Sequence, residues 1–154
     1  MQRQPQSEAE VREALQALQA CPVAAIGTTS ELMLRMPADG HPILITRHPA
    51  GEVLYSGWAS RRSFGASSWL IVRPGGNVLI DSPRWSAPLA RRMEALGGLA
   101  TIVLSHRDDV ADHARWAGAF GCERWIHQAD ADTAPGVAWP VVGTAALQLD
   151  ADLQ

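Results

Sequence analysis

The chain has 154 residues, a formal net charge of −3, and 47% hydrophobic against 19% charged residues. That composition fits one ordinary soluble domain, or a small domain with a piece of another, and it excludes a basic nucleic-acid surface and an acidic tail. No apolar run reaches the length of a membrane span, and Met1-Gln2-Arg3-Gln4-Pro5 leads into polar sequence rather than a signal-peptide core. The two cysteines, Cys21 and Cys122, cannot build a disulfide framework, so a cytoplasmic location is expected. All thirteen basic residues are arginine, which reads as coding bias rather than mechanism.

In chain order, Ser7 to Ala20 predicts a helix: Ser7 and Glu10 form a capping-box pair, and Val11, Leu15 and Leu18 repeat at helical spacing. Pro22 ends it, and Val23 to Gly27 reads as a short strand. Leu32 to Met36, Ile43 to Thr46 and Val53 to Tyr55 are β runs separated by the turn signals Pro37-Ala38-Asp39-Gly40 and His48-Pro49-Ala50-Gly51, the pattern of antiparallel hairpins. Trp69 to Val72 and Asn77 to Ile80 flank the tight turn Arg73-Pro74-Gly75-Gly76. A helix capped near Ser86 carries Leu89, Met93 and Leu96 and closes at Gly97-Gly98. Thr101 to Leu104 is a continuous apolar strand, followed by a polar loop, a helix ending at Phe120-Gly121, and the strand Arg124 to His127. The turn-rich last 27 residues hold a short strand around Val141-Val142. Hairpins first, then strand, helix, strand, helix, strand: the fold class is α/β with parallel pairing in the second half.

The segment Ser105 to His113 places two imidazoles and three carboxylates directly after the apolar strand, where open α/β sheets gather ligands. His106, Asp108, Asp112 and His113 could converge on a metal, and mixed imidazole and carboxylate donors suit zinc, manganese or iron rather than calcium. The simpler reading is that the aspartates meet a helix dipole, worth about 0.3–1 kcal/mol each, and that the histidines are loop and surface residues. His41 and His48, each before a proline, read as turn histidines, and His127 as an edge histidine. The six tryptophans read as core packing, and Arg61-Arg62 as an exposed pair that could contact an anionic substrate. No nucleophile elbow, P-loop or dinucleotide fingerprint is present.

The stretch from Ser63-Phe64-Gly65-Ala66-Ser67-Ser68-Trp69, through Asn77 to Pro83, to His113 resembles the opening half of the metallo-β-lactamase fold. The resemblance implies a partial αββα sandwich. It also implies a hydrolase that attacks an ester, thioester, amide or phosphoester of a small-molecule substrate with metal-bound hydroxide, using one or two zinc or iron ions. The family motif H-x-H-x-D-H is altered here: Asp108 stands where the second histidine belongs, and the Asp-His pair arrives two residues late. Carried over residue by residue, His106 and Asp108 are first-metal candidates, with Asp109 competing for the second place. Asp112 and His113 are second-metal candidates, and Asp112 is the candidate base. Asp81, at the end of its strand, would steady the metal loop or simply cap a turn.

Ala20-Cys21-Pro22-Val23-Ala24-Ala25-Ile26 resembles the closing stretch of a single-cluster ferredoxin, where the cysteine before proline is a cluster ligand. A cluster needs four thiolates, so no iron–sulfur cluster is expected from this chain alone. The expected organisation is a ferredoxin-like remnant at 1–27 and the N-terminal part of a metallo-β-lactamase-like domain at 28–154, truncated relative to its family. The later histidine-bearing loops of the family are not found after residue 127, which sets an incomplete hydrolase against a non-catalytic remnant or interaction module. The partners expected are a small-molecule substrate and a second copy or other protein completing the sheet, with no nucleic acid and no membrane.

Overall fold

The computed structural model describes residues 4–29, 40–137 and 139–145. Helix α1, Glu8–Ala20, opens with the expected box: Ser7 Oγ accepts from the Glu10 amide at 3.2 Å, and the Glu10 carboxylate accepts from the Ser7 amide at 3.2 Å. Cys21 follows as its C-cap. Residues Val23 to Gly27 do not form the expected strand. Ala24 sits at φ 52°, a left-handed conformation that breaks an extended run, and Val23 and Ile26 are exposed rather than paired into the sheet. The β run expected at Leu32 to Met36 lies outside the described residues.

The sheet has seven strands in sequence order: β1 (Ile43–His48), β2 (Gly51–Tyr55), β3 (Trp69–Val72), β4 (Val78–Ile80), β5 (Thr101–Leu104), β6 (Glu123–His127) and β7 (Trp139–Val141). The first four pair antiparallel, β1 with β2 and β3 with β4 across short turns and β2 with β3 across the longer connection 56–68, and β4 to β7 pair parallel. Parallel neighbours require crossovers, and two of these are helical: α2, Ala87–Ala95, between β4 and β5, and α3, His113–Phe120, between β5 and β6. Ser86 Oγ accepts from the Leu89 amide to cap α2, Pro88 occupies its first turn, and Gly97 and Gly98 leave it at φ 108° and 74°. Leu89 and Met93 turn inward as expected, whereas Leu96 falls on the C-cap and stays 38% exposed. Gly121, at φ 64°, closes α3.

Register explains the core. Leu54, Leu70, Leu79 and Ile102 are direct cross-strand partners from β2 to β5, so their side chains share one sheet face. That row joins Leu89 and Met93 of α2 and Trp116 of α3 in one buried cluster. Trp116 is fully buried, donates its indole N–H to the Pro83 carbonyl at 2.9 Å, and stacks on Phe120. Alternation sends Tyr55, Trp69, Ile80, Val103 and Trp125 to the opposite face, again as cross-strand partners, and there they are half-buried. His41, 3% exposed, meets Tyr55 edge-on and hydrogen-bonds Gln19 Oε1 at 2.9 Å, tying α1 to the start of the sheet. It sits in the bend that its neighbouring proline predicts, and it is buried there.

Candidate functional site

The Ser105–Asp112 loop leaves the carboxyl end of β5, beside the turn that leaves β4 at Asp81. Asp81 takes φ 59° and is 8% exposed. Its carboxylate accepts from the Ser105 amide at 2.7 Å and from Ser105 Oγ at 2.8 Å, while the Ser82 amide donates to the Asp109 carbonyl at 3.1 Å. Two turns from adjacent parallel strands are thus laced together, and Asp81 binds the first residue of the loop. Asp109 is shifted up from the ordinary carboxylate range, first by burial and then by the Asp81 charge.

His106 projects from this loop, its side chain 58% exposed. Its Nδ1 accepts from the Asp108 amide at 3.2 Å and lies 3.7 Å from the Asp108 carboxylate. Asp108 is also exposed, its side chain at 52%. The other two predicted residues open α3 and face elsewhere. Asp112 is the N-cap of α3, yet its side chain makes no capping bond. One oxygen instead accepts from Arg62 Nη1 at 3.0 Å, the other from the Trp85 amide at 2.8 Å. His113 is 6% exposed and its Nδ1 lies 3.2 Å from Arg124 Nη1. Because the guanidinium can only donate, that nitrogen carries the lone pair. Burial, then Arg124 and Arg62, hold the imidazole down at about 4, so it is neutral at pH 7. Arg124 also donates to the carbonyls of Pro135 and Gly136.

The four predicted donors therefore fall into two pairs with separate partners. Among the described residues, no group of three or more His, Cys, Asp and Glu side chains is arranged to hold a metal ion. In this arrangement the Asp112 carboxylate is engaged on both oxygens and the His113 Nδ1 lone pair faces a cation. Sequence reasoning missed Arg62, Arg124 and Trp85 as the partners here. Arg62 meets Asp112 across fifty positions of chain, a separation with no local signal. His127, read as an edge residue, accepts from the Ala129 amide and approaches the Gly143 carbonyl.

Residues 1–28 match the family description "4Fe-4S single cluster domain of Ferredoxin I". A comparison with curated proteins returns no match. Among solved structures, the chemotaxis sensor ODP in a peroxy diiron form is similar at 18% identity and TM-score 0.50, over 65% of this chain and 44% of that one. The chain carries part of the metallo-β-lactamase fold. The metallo-β-lactamase FEZ-1 of Legionella gormanii, as its Y228A mutant, aligns at 18% identity and TM-score 0.47, over 71% of this chain and 52% of that one. The enzyme GOB-18 of Elizabethkingia meningoseptica aligns at 18% identity and TM-score 0.43, over 66% and 44%. The chain thus spans about half the length of these metallo-β-lactamase-fold structures or less.

Proposed function

We propose that the described part of this chain is a metallo-β-lactamase-fold scaffold acting as a non-catalytic module, because its candidate metal loop is closed by arginine contacts. The observation that carries this reading is the pairing of Asp112 with Arg62 and of His113 with Arg124, while His106 and Asp108 meet each other on the outer loop. The half-buried apolar sheet face around Tyr55, Trp69 and Trp125 gives such a module a surface for another protein or a second copy. Among the described residues, no helix is long and apolar enough to cross a membrane.

A second reading is supported by the placement of the loop beyond parallel strands and by the Asp81–Ser105 brace. In it, residues 28–154 belong to a metal-dependent hydrolase of a small-molecule ester, thioester, amide or phosphoester, and residues 1–27 to a ferredoxin-like module. Zinc or iron would be held by His106, Asp108, Asp112 and His113 together with donors from outside the described residues, and Asp112 would be the catalytic base. Metal analysis by mass spectrometry decides between the two. The non-catalytic reading expects no stoichiometric zinc or iron at neutral pH in this chain or in its Asp112→Ala and His113→Ala variants. Stoichiometric metal that is lost in both variants would overturn it in favour of the hydrolase.

A further inference from the structure

Six large apolar side chains stand exposed among the described residues, and three of them lie on two segments that touch. Phe64, which ends the short 3-10 turn Arg61–Ser63, is 84% exposed at φ 51°, while Val23 and Ile26 follow the end of α1. The segments meet at Gly65, where an added Cβ would lie 3.2 Å from Pro22 Cγ. The turn is pinned from within. Ser60 and Ser63 are buried, Ser60 Oγ accepts from the Arg62 amide at 3.1 Å, and the Gly65 amide donates to the Ser60 carbonyl at 2.9 Å. A bulky side chain held in the left-handed region and presented to water is a strained arrangement of the kind that binding surfaces retain. Arg62 pairs with Asp112, Arg61 is exposed beside it, and residues 56–68 carry no acidic side chain.

The adjoining surface has the opposite character. Val11, Ala14, Leu15 and Leu18 of α1, with Pro5 and Ile26, line a groove of about 230 Å³. Three glutamates and one arginine give α1 a formal charge of −2, and Glu8 and Glu10 lie in its first turn. The arginine turn stands at the other end of the helix, where Gly65 meets Pro22. Thirteen residues of helix span about 20 Å, so the acidic end and the basic end of one copy are too far apart to answer each other. Between two copies they match. A two-fold axis that lays α1 antiparallel to its mate brings each Arg61–Phe64 turn to the acidic end of the other helix and its groove, and makes both contacts at once.

We infer that α1 and the Arg61–Phe64 turn form a self-association surface whose partner is a second copy of this chain. Phe64 of each copy packs on the α1 groove of the other, and Arg61 faces the other's Glu8. The buried serines hold the turn in shape before association, which limits the ordering that binding requires. This inference stands whichever reading of the function holds.

The test is sedimentation velocity with light scattering on the full chain, from micromolar to millimolar concentration. A concentration-dependent dimer is expected, with Kd between about 1 and 100 µM for a small interface, and it should weaken as salt is added. Phe64→Ser, Arg61→Glu and Glu8→Arg should each weaken it by about tenfold or more, through loss of an aromatic anchor or reversal of a charge. Val142→Ser, at an exposed apolar residue just past β7, should leave it unchanged. An equimolar mixture of Arg61→Glu and Glu8→Arg chains should regain the parent's dimer, because each then meets the opposite charge on the other. A variant that merely folds badly cannot be rescued in this way, and thermal melts identify it. A monomer at every concentration, a dimer indifferent to Phe64→Ser, or a mixture that associates no better than its two components would overturn the inference.

Discussion

Replacing Asp81 with alanine removes both acceptors that hold Ser105 at the start of the candidate loop. The two bonds, at 2.7 and 2.8 Å, are charge-assisted, and such bonds contribute about 1.5–3 kcal/mol each when buried. Ser105 is exposed, so water replaces part of what is lost and the lower end of that range applies to the pair together, about 2 kcal/mol. The left-handed backbone at φ 59° adds about 1 kcal/mol for alanine, which tolerates that region less well than aspartate. Asp81→Ala should therefore lower stability by about 3 kcal/mol in urea denaturation followed by circular dichroism. Asp81→Asn keeps the backbone preference and one acceptor and should cost about half as much. The Ser105 amide should lose its hydrogen-exchange protection in the alanine variant before the β5 core does. Removal of the Asp81 charge should also bring the Asp109 carboxyl down toward its ordinary range, visible by NMR titration, although burial keeps it raised. An alanine variant within about 0.5 kcal/mol of the parent would refute the claim that Asp81 braces the loop.

Two further outcomes follow from the buried contacts of α1 and the sheet. Burial, and secondly Arg92, hold His41 down at about 4 against an ordinary value of 6.5. A histidine with a depressed folded-state value leaves stability intact above its unfolded value and erodes it as pH falls below 6.5 toward 4, because the unfolded chain binds the proton first. The loss should reach about 2 kcal/mol after allowance for solvent screening, and denaturation midpoints of His41→Gln should show a shallower slope across that window than the parent; an identical slope sinks the assignment. Gly57 sits at φ 61°, and a Cβ there would lie 2.3 Å from the His41 ring. Gly57→Ala should thus destabilise the fold by about 2–4 kcal/mol through clash and backbone strain together, and a melting temperature equal to the parent's would show that the His41 pocket has room.

Much of this fold was legible because its signals are local. The Ser7–Glu10 box, the Ser86 cap, Gly97-Gly98 and Gly121 mark helix ends within a few residues of themselves, and they appear where the chain predicts them. The strands from Ile43 to His127 follow from short apolar runs between turn residues, and the switch from hairpins to helical connections follows from their lengths. The strand expected at Val23 to Gly27 shows the limit: an apolar run becomes a strand only with a neighbour to pair, and here the chain turns left-handed at Ala24 instead.

The loop Ser105 to His113 was legible in position and in chemistry, since acidic and imidazole groups after a buried strand are visible in one line of sequence. Its disposition was not. Whether Asp112 turns to a shared centre or to Arg62 depends on a segment fifty positions earlier, and the lone pair of His113 is assigned by Arg124 on the next strand. His41 shows the same division: proximity to a proline predicts a turn, while packing against Gln19, Tyr55 and Gly57 buries it. Most elements, their order and the kinds of groups beside the sheet can be read along the chain, because caps, turns and periodicity act over a few residues. Which of those groups meet is settled by how the layers pack, since that packing sets the contacts between distant segments.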